Sequence, residues 1–188
     1  MPGVHQDILQ EADCEIVNSP YNRPLEAAEL AELLPGIDAA ILGVDDVSAE
    51  AIAGADRLKV ISRYGVGVDK VDLAAATAKG IVVTNTPGGN TNAVAELTLA
   101  FMLALARNIP CQDRQVRAEN WSLLKGVELA DCTLGLLGMG RIGQHVAELA
   151  HAFGMQILFC DPSLPSPEFV QRVGAESCAI DHLFSQSD

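Results

Sequence analysis

Positive charge is scarce in this chain. Lys and Arg account for 12 of its 188 residues against 25 Asp and Glu, a formal net charge of −13. The basic residues are scattered singly, so a nucleic-acid backbone or an anionic membrane surface would meet no basic patch and would be repelled. Cys-x-x-Cys pairs are missing too. The five cysteines, Cys14, Cys111, Cys132, Cys160 and Cys178, are odd in number and far apart, which argues against a disulfide framework and against a zinc or other metal site. No apolar run reaches the ~20 residues of a membrane span; residues 93–106 come nearest, and they carry Glu96 and Thr98. The opening MPGVHQDILQ has neither the basic flank nor the apolar stretch of a secretory signal. A reducing cytoplasm is therefore the expected compartment, and the sequon Asn120-Trp121-Ser122 is expected to be without meaning.

What is present is the composition of a packed globular chain, 49% apolar and 20% charged. Short β-branched or apolar runs at residues 15–17, 39–42, 59–62 and 81–84 alternate with helical patterns, and Asp72 is placed to N-cap the helix that begins LAAATAK. Such alternation predicts βα units around a parallel sheet. About 14 residues precede the first of these runs and read as the latter part of a helix, with no strand before it. A long helix over 91–107 is apolar on every side, and it is expected to be buried between domains or subunits. The segment NIPCQDRQVRAENWSLLKG reads as a polar connection, and a second βαβ unit follows from Cys132. The expected organisation is one domain over 1–90 and a second over 91–188.

Two glycine loops carry the chemistry. Residues 133–137 form a compact apolar strand, and Gly138, Gly140 and Gly143 then give G-x-G-x-x-G ahead of a helix with Ile142, Val146, Leu149, Ala150 and Phe153 on one face. In that pattern the first glycine permits a tight turn, the second lets the backbone approach a pyrophosphate, and the third lets helix and strand pack closely, while the helix N-terminus offers N–H groups to the anion. The next strand, 156–160, ends in Asp161, where a carboxylate can accept hydrogen bonds from the adenosine ribose. Asp161 would repel a 2′-phosphate and is followed by Pro162 and Ser163, so NAD is expected over NADP. The second loop, RYGVGVD from Arg63 to Asp69, could turn the N–H groups of Gly65, Val66 and Gly67 toward a small anion. A plain β-to-α connection remains open for it. His145 and His151 lie off the apolar face of their helix and are expected to face solvent.

The stretch SRYGVGVDKVDLAAATAKGIVVTNTPGGNTNAVAELTLAFMLALARNIP, together with LADCTLGLLGMGRIGQHVAELAHAFGMQILFCDP, resembles the D-isomer-specific 2-hydroxyacid dehydrogenases, phosphoglycerate dehydrogenases above all. The resemblance implies a flavodoxin-like parallel-sheet substrate domain followed by the first half of a Rossmann NAD-binding domain. It also implies an oxidoreductase acting on the CH–OH group of a D-2-hydroxy acid. The substrate carboxylate would be held by the N–H groups of Gly65, Val66 and Gly67 with Arg63 nearby. The cofactor would be held by Thr86, Gly138, Gly140, Arg141, Ile142, Gly143 and Asp161. The long helix would lie at an interdomain and homodimer contact. The family's catalytic Arg, Glu and His match no position here, and His5, His145, His151 and His182 correspond to none of them. An internal fragment, inactive alone, is therefore expected. A non-enzymatic NAD-sensing module resembling the dehydrogenase-like corepressors is the competing reading.

Overall fold

The computed structural model describes residues 4–188, and side chains from Gln6 onward; the side chain of His5 and whatever precedes Val4 lie outside the described residues. The chain divides into two compact units, Met1–Pro87 and Gly88–Asp188, and both are α/β.

The first unit begins with helix α1 (Val4–Glu11), followed by α2 (Ala27–Leu33), β1 (Ala39–Leu42), α3 (Ala49–Ala53), β2 (Val60–Arg63), α4 (Leu73–Ala78) and β3 (Val82–Thr84). The three strands form one parallel sheet in the order β1-β2-β3, with Ala39 opposite Val60 and Val60 opposite Val82. Parallel strands need both faces covered. Here Ile61 at the sheet centre packs with Leu30, Ile52 and Ala76 from three helices, with Val47 and Leu58 completing the core. Asp72 caps α4 as expected, its carboxylate accepting the Ala75 N–H at 2.9 Å.

One expectation fails in this unit. Residues 15–17 form no strand; they run as irregular chain with Val17 exposed. A β-branched triplet becomes a strand only when a neighbour offers backbone partners, and here no ladder reaches it.

The second unit opens with α5 (Thr91–Ala106) and α6 (Ile109–Arg117). The expected polar connection is thus partly a helix. It starts from Asn108, left-handed at φ 54°, where the axis bends by 62°, and Pro110 occupies its first turn, a position that needs no amide hydrogen. Among the described residues no single helix is long and apolar enough to cross a membrane. After a 3₁₀ turn at Leu129–Asp131 come β4 (Thr133–Leu137), α7 (Arg141–Ala152), β5 (Gln156–Cys160), α8 (Pro167–Val173), β6 (Ala175–Ser177) and α9 (Ile180–Gln186). The sheet order is β4-β5-β6, all parallel, which is the order of the first half of a Rossmann sheet. The second βαβ unit read from the sequence thus carries a third strand, β6, on the outer edge of β5.

Met139, Ala147, Ala150, Ile157, Phe159, Phe169 and Val173 form the core between the sheet and its helices. A second cluster of Ala95, Leu99 and Val146 joins α5 to α7. Only part of α5 is covered: Leu97, Phe101 and Leu105 are 52%, 60% and 79% exposed. Along the far side of β4, Asp188 donates its N–H to the Thr133 carbonyl and accepts the Thr133 N–H on its carboxylate.

Candidate functional site

The nucleotide loop lies between β4 and α7. Gly138 leaves β4 with φ +103°, a conformation open to glycine, and its N–H donates to the Cys160 carbonyl at 2.9 Å. A Cβ on Gly143 would collide with the carbonyl oxygen of Gly138, so the third glycine is what lets the helix sit on the loop. Gly140 has open space where its Cβ would be, which is the clearance a ligand needs to reach the backbone. Met139 between them is 2% exposed, and Gln144 Nε2 holds its carbonyl at 2.9 Å. The loop is thus fixed from the core side and open on the other.

Gln144 is the first residue of α7 whose N–H finds a backbone partner, Gly140. The amides of Arg141, Ile142 and Gly143 lack partners among the described residues, as the first turn of a helix must. Ile142 sends its half-buried side chain into the α5–α7 contact. The Arg141 stem runs past Gly88, and among the described residues its guanidinium makes no ion pair or hydrogen bond. A cation at the first position of a helix opposes the macrodipole, and a bound anion relieves both.

Asp161, just past β5, accepts the Met139 N–H on Oδ2 at 2.6 Å and the Ser163 N–H on Oδ1 at 2.7 Å. Those two bonds, Met139 first, hold its carboxyl below the usual carboxylate range. The charge is therefore kept, and each oxygen retains a lone pair for a further donor. Asp161 does more than the spacing suggested: it also pins the glycine loop.

His145 departs from expectation. It is half-buried, and its Nδ1 lies 3.1 Å from Glu148 Oε2, while Glu148 Oε1 takes Arg172 of α8 at 2.8 Å. His145 and then Arg172 lower the Glu148 carboxyl. The trio braces α7 against α8. His151 is exposed, as expected.

In the first unit, the loop after β2 is held by Asn85 Nδ2 on the Val66 carbonyl at 2.7 Å and by the Thr86 N–H on the Gly65 carbonyl at 3.0 Å. Of the three donors expected to face an anion, Gly65 is already spent, because its N–H donates to the Arg63 carbonyl at 2.9 Å. Its φ of +150° is one that side chains rarely allow. Val66 and Gly67 keep unpartnered amides among the described residues. Arg63 is 7% exposed and lies under the loop. Its Nη1 donates to the Tyr64 carbonyl at 2.8 Å, its Nε finds no acceptor, and no carboxylate pairs with it among the described residues. A buried guanidinium without a counter-ion is costly, and sequence spacing gives no hint of it. No group of three His, Cys, Asp or Glu among the described residues is placed to hold a metal ion.

The family described as D-isomer specific 2-hydroxyacid dehydrogenase, catalytic domain, matches residues 3–185. A D-3-phosphoglycerate dehydrogenase from Synechocystis sp. is 43% identical over 167 residues, 87% of this chain and 30% of that protein. A hydroxypyruvate reductase from Thermotoga maritima is 41% identical over 87% of this chain and 53% of its own length. Among solved structures, a D-lactate dehydrogenase from Aquifex aeolicus complexed with NAD and lactic acid superposes with a TM-score of 0.82 at 30% identity, over all of this chain and 57% of that one. The chain thus spans about a third to a half of the curated relatives it matches.

Proposed function

Because the chain belongs to the D-isomer specific 2-hydroxyacid dehydrogenase family, we propose that it supplies the carboxylate-binding loop and the first half of the NAD site of an oxidoreductase acting on the CH–OH group of a D-2-hydroxy acid. The observation that carries this reading is the β4–loop–α7–β5 unit, with a Gly140 surface open to a ligand, free amides at the α7 N-terminus, and a charged Asp161 at the end of β5. The residues fit a dinucleotide: the first-turn amides of α7 and Arg141 would hold the pyrophosphate, and Asp161 the adenosine ribose. Bound there, NAD supplies the hydride acceptor.

The first-unit loop supplies the substrate side. The N–H groups of Val66 and Gly67 would donate to one carboxylate, and the uncompensated charge of Arg63 beneath them favours that anion. Of the relatives compared, those named for 3-phosphoglycerate make a phosphorylated 2-hydroxy acid the first substrate to try. These residues bind and orient. None is placed to exchange the hydroxyl proton, a step worth typically 10²- to 10⁴-fold, so the isolated chain is expected to bind NAD without oxidising NADH in the presence of 2-oxo acids.

Titration calorimetry with NAD and NADP tests the proposal. NAD is expected to bind the tighter, because Asp161 opposes a 2′-phosphate, and Asp161→Ala should lose roughly tenfold or more in NAD affinity. Equal affinity for the two nucleotides would overturn the assignment of Asp161.

A further inference from the structure

The carboxyl ends of β5 and β6 bring two of the five thiols side by side. The strands run parallel with Leu158 opposite Glu176 and Phe159 opposite Ser177, and the Cys178 N–H closes that last pair by donating to the Phe159 carbonyl at 2.9 Å. The next pair in that register is Cys160 and Cys178. Side chains paired in register share a face of the sheet, and neighbouring strands lie about 4.8 Å apart, inside the roughly 4.4–6.8 Å between Cα atoms that a disulfide spans but just beyond its roughly 3.5–4.5 Å between Cβ atoms, so closure needs the strand ends to move together. Both thiols are reduced and half-buried. Cys14 and Cys132 hydrogen-bond local carbonyls, whereas neither member of this pair makes such a bond. Burial, and after it the neighbouring Cys160, push the Cys178 thiol up. The Cys160 carbonyl holds Gly138, and the next residue is Asp161, which holds Met139.

We propose that Cys160 and Cys178 form a reversible dithiol–disulfide site at the base of the nucleotide loop. The oxidant is a low-molecular-weight disulfide such as oxidised glutathione. The Cys160 thiolate attacks one of its sulfurs, giving a mixed disulfide and one released thiolate. Cys178, with its raised thiol, reacts second: it gives its proton to solvent, and its sulfur displaces the second glutathione thiolate and closes the S–S bond. The two cysteines lose two electrons and two protons, and one glutathione disulfide becomes two thiols. The new bond draws the end of β5 toward β6 and pulls on Asp161, so the oxidised chain should bind NAD more weakly. That consequence rests on the NAD reading above; the cross-link does not.

The test is to incubate the native 188-residue chain with oxidised glutathione, alkylate the remaining thiols and map the peptides by mass spectrometry. A Cys160–Cys178 peptide, two hydrogens lighter than the sum of the reduced pair and lost on treatment with dithiothreitol, should be the dominant internal cross-link. Cys14, Cys111 and Cys132 act as internal controls, and Cys178→Ser should stop at the mixed disulfide on Cys160. Recovery of Cys160 and Cys178 as separately alkylated or glutathionylated peptides, or cross-links to the other three thiols in equal yield, would overturn the site. Calorimetry on both forms gives the second readout: unchanged NAD affinity after cross-linking overturns the coupling, and no NAD binding by the reduced chain is instead a failure of the functional reading.

Discussion

Gly140 and Gly143 stand three residues apart in one loop for different physical reasons, and alanine separates them. Gly140 has φ −73° and empty space at its Cβ position, so Gly140→Ala should leave thermal unfolding nearly unchanged while crowding the pyrophosphate and weakening NAD binding. At Gly143 the added carbon meets the Gly138 backbone, which cannot swing aside as a flexible side chain can. Gly143→Ala should therefore cost roughly 1–3 kcal/mol of stability and lose NAD binding as well; calorimetric titration beside thermal melts distinguishes the two. The roles of these glycines were legible in the sequence because they follow from backbone geometry at fixed spacing. The closed amide of Gly65 and the uncompensated charge of Arg63 were not, since each depends on where the Arg63 and Tyr64 carbonyls end up in three dimensions.

Elements were legible wherever side-chain pattern, not backbone pairing, decides them. β1, β4 and β5 fall where the apolar runs predicted, β2 shifts by one residue, and β3 begins one residue later than its run. β6 escaped because only Ala175 of its three residues is buried; the strand exists through its ladder to β5. α6 escaped because it is mostly polar, with Ile109, Cys111 and Val116 too few to stand out, and none of its residues is buried. Two predictions belong here. Asp72→Ala removes the side-chain cap of α4 and should lower stability by about 1 kcal/mol, measurable by urea unfolding. Leu97, Phe101 and Leu105 recur at intervals of four along α5 and form one exposed apolar ridge. This ridge should drive self-association, so Phe101→Glu should reduce the mass seen by light scattering at tens of micromolar, and a wild-type chain that is already monomeric there would remove the basis for it.

At the scale of the molecule, acid is the expected weakness. Among the described residues six carboxyls sit below their ordinary values: Glu29 beside Arg23, Asp38 beside Lys59, Asp56 on the Gly36 amide, Glu148 beside His145, Asp161 on the Met139 amide, and Glu168 on its own backbone amide. A depressed folded-state value means the folded chain prefers the charged form. The resulting stability is fully present above the unfolded values of 3.8 for Asp and 4.5 for Glu, and it is lost as pH falls through the lower folded values. Urea midpoints should hold between pH 7 and about 5 and fall steeply below 4, and Asp161→Asn should flatten part of that fall.

The rung between Thr133 and Asp188 has a consequence that can be timed. Leu134 and Leu136 face β5, by the alternation that puts the Gly138 N–H on the Cys160 carbonyl. Their amides should exchange with deuterium only when the sheet opens. Gly135 and Leu137 face the other way, where the single Asp188 rung stops short of them, and their amides should exchange orders of magnitude faster. Two exchange clocks then run within one five-residue strand, and any segment that lays a backbone beside β4 would announce itself by slowing the fast one.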